Sequence, residues 1–278
     1  MGDFSAEVIS HIDRNYIADL LKKGERVDGR AFDEYRPITI EPDPVSAKAE
    51  GSAIVRLGGT SVVAGVKVLL GEPYPDTPDE GVIMVTAELA PIASPLFELG
   101  PPKEPAIELA RVVDRGVRES ETVDTKKLCI EPGKKVLMCF VDLYTLEYDG
   151  NLIDACSIAA NAAMLGTKYP EMKWEDDQAV PTGKEVALPL QNMAIEHTVS
   201  KIGEHLVIDP HIKEEMVQDC RLTMAVDQND NFTAMQKGGG TGPMSLDLID
   251  QSMSMALEST KEIRKLVKET VKAAKKES

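Results

Sequence analysis

The sequence predicts an α+β protein, and three observations predict it. Segments with strand periodicity gather at 36–89 and again beyond residue 186. Helical patterns stand before, between and after those groups instead of alternating with single strands. Glycine- and proline-rich turns separate the pieces.

Taken in order, residues 5–23 carry Val8, Ile9, Ile12, Tyr16, Ile17, Leu20 and Leu21 at helical spacing. Ser5 is the expected N-cap. Lys22 and Lys23 suit the C-terminal end of the helix dipole, and Gly24 follows as a left-handed cap. Arg26-Val27-Asp28-Gly29-Arg30 then turns the chain into extended segments. Residues 37–41 alternate, and 52–70 read as two strands joined by Gly58-Gly59-Thr60.

A Pro/Gly-rich loop at 71–81 precedes a strand at 82–89. A second proline-rich loop, 91–105, leads into a helix over 105–121. Segments 129–130 and 135–148 are strand-like, with Glu131-Pro132-Gly133 between them. Asp149-Gly150 ends the second, and the alanine-rich run 152–165 predicts a helix packed closely on a sheet. Residues 169–184 are polar and are expected to link two parts of the chain. Short strands are expected near 186–190, 195–200, 205–208, 221–227 and 231–236. The glycine-rich turn 238–243 then opens one long helix from near Ser245 to the C-terminus.

Composition narrows the function. The chain has 278 residues, 42% of them apolar but only 4% aromatic, so its cores must be aliphatic. No run of about 18 apolar residues exists, so a soluble, cytoplasmic protein without a membrane partner is expected. Cys129, Cys139, Cys156 and Cys220 lie at wide, irregular spacings and read as buried thiols. The net charge of −16 makes the chain a poor standalone nucleic-acid binder. It suits a subunit that pairs with something more basic.

Several segments together resemble the RNase PH family of phosphorolytic exoribonucleases. They are Arg26–Arg30, the hairpin 51–60, the helix 108–118, the stretch 142–150 and the segment 205–237. The likeness spans residues 20–260. More narrowly, 107–118 and Ala234-Met235-Gln236-Lys237-Gly238-Gly239 are similar to the non-catalytic RNase PH-like subunits of archaeal exosome rings. The resemblance implies an RNase PH-like two-part fold. An N-terminal helix (1–25) would precede a first part like ribosomal protein S5 domain 2 (26–168). The linker (169–184) and a second part with the C-terminal helix (185–278) would follow. It also implies partners: a catalytic RNase PH-like homologue in a 3+3 hexameric ring, S1/KH-type RNA-binding cap proteins, and single-stranded RNA. No cofactor and no metal is implied.

Two departures from the active pattern then bear on function. Where active members carry two aspartates, this chain has Glu215 and Arg221. Paired carboxylates hold a cation or take up a proton, whereas a guanidinium stays protonated and accepts nothing. Active members also place a small, hydroxyl- and arginine-bearing cluster after Asp149-Gly150 to hold the attacking phosphate. Here that position reads Asn151-Leu152-Ile153-Asp154, and Leu152 and Ile153 offer an anion nothing. Both halves of the chemistry are expected to be lost, leaving no catalytic residue.

Arg111, Arg115 and Arg118 share one helix face, about 6 Å and then about 5 Å apart along the axis. Taken alone, they read as an exposed face paired with Glu108, Asp114 and Glu119. The resemblance instead implies that they bind backbone phosphates of a single RNA strand. Glu214, Glu215 and Asp219 leave a carboxylate cluster for metal open. The 238–243 turn lacks the Gly-Lys-Ser/Thr ending of a phosphate loop. His197, His205 and His211 lack metal spacing, and Lys261, Lys265, Lys268, Lys272, Lys275 and Lys276 read as a solvated helix face.

The expectation is a non-catalytic ring subunit of a 3′-to-5′ phosphorolytic RNA-degrading complex, one that structures its homologue's active site and lends it arginines. Two alternatives stay open: an active exoribonuclease using Glu215 and Asp219, and an RNA-independent scaffold subunit.

Overall fold

Two sheets close on one buried helix, and that helix explains the architecture. The computed structural model describes residues 11–45 and 47–277. The first helix, α1, runs His11–Lys22 and buries Ile17 and Leu21. Ser5, Val8 and Ile9, expected to begin it, lie outside the described residues. Tyr16, part of the expected apolar stripe, is exposed instead. The amides of Gly24 and Glu25 close the helix on the carbonyls of Leu21 and Leu20.

The first sheet contains β1 (Ile38–Pro42), β2 (Gly51–Leu57), β3 (Thr60–Gly71), β4 (Val82–Leu89), β5 (Cys129–Glu131) and β6 (Lys135–Glu147). Its order is β1-β2-β3-β6-β4, with β5 pairing β6. Only β4 runs parallel to its neighbour, because helix α2 (Glu104–Glu119) carries the chain across between β4 and β6.

Helix α3 (Leu152–Gly166) follows β6. Every residue from Leu152 to Met164 is buried, and such a helix must be covered on all sides. Its alanines allow backbone-close packing on β2 and β3, while β9 and the last helix cover the rest.

The second sheet contains β9 (Ile195–Ile202), β10 (His205–Ile208), β11 (Cys220–Val226) and β12 (Phe232–Gly238) in the order β10-β9-β11-β12, antiparallel throughout. The last helix, α5 (Leu246–Glu277), seals this sheet through Ala256 and packs against the first core through Ile263, Val267 and Val271. The expected α+β class stands, with helices and sheets segregated as the sequence indicates.

Three expectations are corrected. Residues 169–184 are not an irregular linker: β7 (Lys168–Glu175) and β8 (Gln178–Ala187) form a two-stranded antiparallel hairpin there. Its alternation was masked by Pro170, Pro181 and a run of charge. The short strand near 186–190 is the end of β8 followed by a single bridge between Val123 and Leu190. A further short helix, α4 (Ile212–Val217), lies inside the stretch before β11. Its signal was the capping box, in which His211 accepts from the Lys213 amide while Glu214 accepts from the His211 amide.

Candidate functional site

The N-terminus of α3 sits at the seam between the two sheets, and a chain turn delivers it there. Thr60 reaches across from β3, donating to the Gly150 carbonyl at 2.6 Å and accepting from the Asp149 amide. Gly150 has φ +91°, and a Cβ there would lie 2.4 Å from the Pro210 carbonyl oxygen, so only glycine fits. Asn151 opens the helix in the left-handed region at φ 54°.

Around this point lies a cleft of about 620 Å³. Leu152, Ile153, Glu215 and Arg221 all line it, so the four positions read as departures from the active pattern come together in one place. Its polar lining also includes Glu104, Glu108, Tyr148, Gln218 and Lys237.

Glu215 and Arg221 both find partners within the chain. Glu215 accepts from the Asn151 backbone N–H at 2.8 Å, which puts a carboxylate on the positive end of α3. Tyr148 also hydrogen-bonds Glu215, and burial, followed by the negative charge of Glu215, pushes the Tyr148 hydroxyl well above the ordinary tyrosine range. On the opposite wall, Arg221 of β11 donates to Glu108 of α2 at 2.8 Å. Gln236 donates to the same oxygen at 3.3 Å.

The three carboxylates left open for metal face different ways. Glu214 is fully buried against Arg26, at 2.7 Å, whereas Asp219 accepts from the Gly203 amide and Lys201. With Glu215 turned to Asn151, they do not converge.

Beneath the cleft runs a polar network that sequence spacing did not reveal. Asp209 is fully buried, and it accepts from Arg36 at 2.7 Å, Arg30 at 3.1 Å and Asn151 at 3.0 Å. Asn151 also donates to Asp154, which accepts from Tyr35 at 2.6 Å. Tyr35 in turn contacts His197 Nδ1 at 2.8 Å. Burial raises the Asp154 carboxyl to about 6 and lowers the His197 imidazole to about 3. The Arg26–Arg30 motif is therefore a clamp on the 209–214 loop, which in turn positions α3.

On α2, Ala106, Leu109, Val112, Val113, Gly116 and Val117 face the core. Arg111, Arg115 and Arg118 are exposed on the other side, as expected. They differ in partners. Arg118 donates to Asp114 at 2.9 Å and to the Ile83 carbonyl at 2.9 Å. Neither Arg111 nor Arg115 makes a hydrogen bond or ion pair with a described residue.

Two sheets on one buried helix, with a cleft at that helix's N-terminus, define the class: a two-domain RNase PH-type protein. The chain belongs to the 3′ exoribonuclease (RNase PH) family, with domain 1 at residues 34–170 and domain 2 at 192–259. It is 46% identical to exosome complex component Rrp42 of Thermococcus gammatolerans, over 96% of this chain and 98% of that one. Against the Rrp42 of Methanocella arvoryzae the identity is 48%, over 94% and 97%.

Among solved structures, it is similar to a chain of the Archaeoglobus fulgidus exosome with RNA bound to the active site. The TM-score is 0.85 at 46% identity, covering 93% of this chain and 99% of that one. A chain of an archaeal exosome core gives 0.82 at 43%, covering 94% and 98%. The match to rice Rrp46, 0.67 at 18% over 88% and 100%, speaks for the fold alone.

Proposed function

We propose that this chain is a non-catalytic subunit of an exosome, a 3′-to-5′ phosphorolytic RNA-degrading complex. In this reading it alternates with a catalytic RNase PH-like homologue in a 3+3 ring that carries S1/KH-type cap proteins. It shapes the active site of that homologue and holds single-stranded RNA through Arg111 and Arg115. Arg118 is held by Asp114 on its own helix and ties that helix to the Ile83 carbonyl instead of reaching for RNA.

One observation carries the non-catalytic reading: every charged group at the two departed positions is spent on the protein itself. Glu215 fills the anion end of α3, and Arg221 is neutralised by Glu108. Phosphorolysis needs an anion site for the attacking phosphate beside groups that handle the leaving oxygen's charge. This cleft offers aliphatic side chains at Leu152 and Ile153 and a guanidinium where a carboxylate is needed. The rival in which Glu215 and Asp219 act together is disfavoured, because Asp219 turns to Gly203 and Lys201. The RNA role is supported by the exposed guanidiniums of Arg111 and Arg115, neither of which makes a hydrogen bond or ion pair with a described residue.

The test is phosphate-dependent release of nucleoside diphosphates from single-stranded RNA. It is run with this chain alone, with a catalytic homologue alone, and with both. Silence alone and activity on mixing are expected. Release by this chain alone would sink the reading.

A further inference from the structure

Beneath Arg115 lies a carboxyl that nothing above employs. Glu196, in β9, is 2% exposed, and its Oε2 has no hydrogen-bond partner among the described residues. A buried acid with an unmade hydrogen bond is costly, so its persistence calls for a partner. Gly116 packs directly on it: a Cβ there would lie 2.5 Å from Glu196 Oε1, so the helix is held against the carboxyl. The next residue back, Arg115, lines the same small cavity as Glu196, together with Thr223 and Gln236. That cavity measures about 10 Å³, the space of one water.

We propose that Glu196 is the positioning residue of Arg115, accepting from its guanidinium directly or through one water so that the remaining N–H groups face RNA. A guanidinium has five donors in a rigid fork and can serve a carboxyl and a phosphate at once. Held by one edge, it presents the other in a fixed direction and loses less freedom when a phosphate arrives. The inference rests on the RNA role proposed for Arg115. Burial, and after it the charge of Asp154, pushes the Glu196 carboxyl well above the usual carboxylate range, while Arg115 opposes that shift. The neutral carboxyl still accepts through its carbonyl oxygen. The other titratable group against it, Cys156, is buried and is held protonated by that burial.

The experiment measures the affinity of a single-stranded oligoribonucleotide for the assembled complex across salt concentrations, with wild type, E196L, E196Q, R115A and R115A/E196L. E196L is expected to weaken binding roughly three- to tenfold and to lower the salt slope by about one, as for one lost phosphate contact. E196Q, which keeps the acceptor, is expected to restore both. In the R115A background, E196L should add nothing, because the two act as a unit. Wild-type affinity in E196L, or the same loss with Arg115 already removed, overturns the proposal. If R115A itself binds RNA normally, the RNA role of Arg115 fails instead. Should that happen, or should E196L not assemble, a crystal structure of the complex decides. Arg115 on Glu196 Oε2, directly or through one water, sustains the positioning contact; a different partner there refutes it.

Discussion

The carboxylate of Glu215 meets the backbone N–H of Asn151 at 2.8 Å, at the N-cap of the helix whose N-terminus opens onto the cleft. Helix N-termini attract anions through unpaired N–H groups and the dipole. Glu215 supplies that anion from within the chain. Removing it as E215A should cost about 1 kcal/mol, the range of a lost N-terminal cap. The freed helix end should then gain an external ligand. Phosphate is expected to raise the melting temperature of E215A and to leave the wild type unmoved. An equal response in both would mean that Glu215 does not block the site.

Arg26 and Glu214 are both fully buried and joined at 2.7 Å. Removing one partner strands a charge without solvent, at a cost of roughly 3–5 kcal/mol. R26M is therefore expected to lower the urea midpoint strongly. R26M together with E214M should recover part of the loss, since no charge is then left over. A small effect of R26M would show that water reaches Glu214 and that the clamp is looser than its geometry indicates.

Asp154 and His197 give the buried network an unusual pH response. The folded-state value of Asp154 is raised to about 6, so the folded protein keeps a proton that the unfolded chain has lost. Between about pH 4 and 6, this makes stability fall as pH rises. His197 is lowered to about 3, so across the same window the unfolded chain holds a proton that the folded one refuses. That makes stability rise with pH, and the two effects oppose each other. D154N removes the first and keeps the Tyr35 contact. Its stability is expected to climb between pH 4 and 6 more steeply than wild type, towards a limit of about 1.4 kcal/mol per unit. Urea titrations at three pH values check it, and parallel curves would contradict the opposition.

How much of this was legible in the sequence depended on range. The β2–β3 turn, helix α2 and the alanine-rich α3 follow from local period and punctuation, and each formed where expected. The hairpin at Lys168–Ala187 was missed because Pro170 and Pro181 argue against strands. An isolated two-stranded ribbon tolerates them where a central strand would not. In the cleft, Glu215 and Arg221 were visible as exchanges of residue type. Their partners were not: Glu108 is 113 residues from Arg221, and Asn151 is 64 from Glu215. No local pattern reports such pairs, because the two sheets bring them together only after folding. Asp149-Gly150-Asn151 did carry a signal for the turn, since asparagine is among the residues that accept a left-handed conformation.

Arg118 separates the two readings of the arginine row. Its guanidinium is held by Asp114 one turn back and by the Ile83 carbonyl. To reach a phosphate it must release bonds that Arg111 does not have. If the row binds RNA as a continuous face, R111A and R118A should lower the salt slope of RNA binding equally, by about one each. The partners seen here predict inequality. R111A in the assembled complex should lose about one unit of slope and several-fold in affinity. R118A should hold its slope and lose at most about 1 kcal/mol of stability, the worth of a half-exposed ion pair. Equal slopes for both variants would return Arg118 to the RNA face, and an unchanged slope for R111A would favour a scaffold whose arginines serve the helix alone.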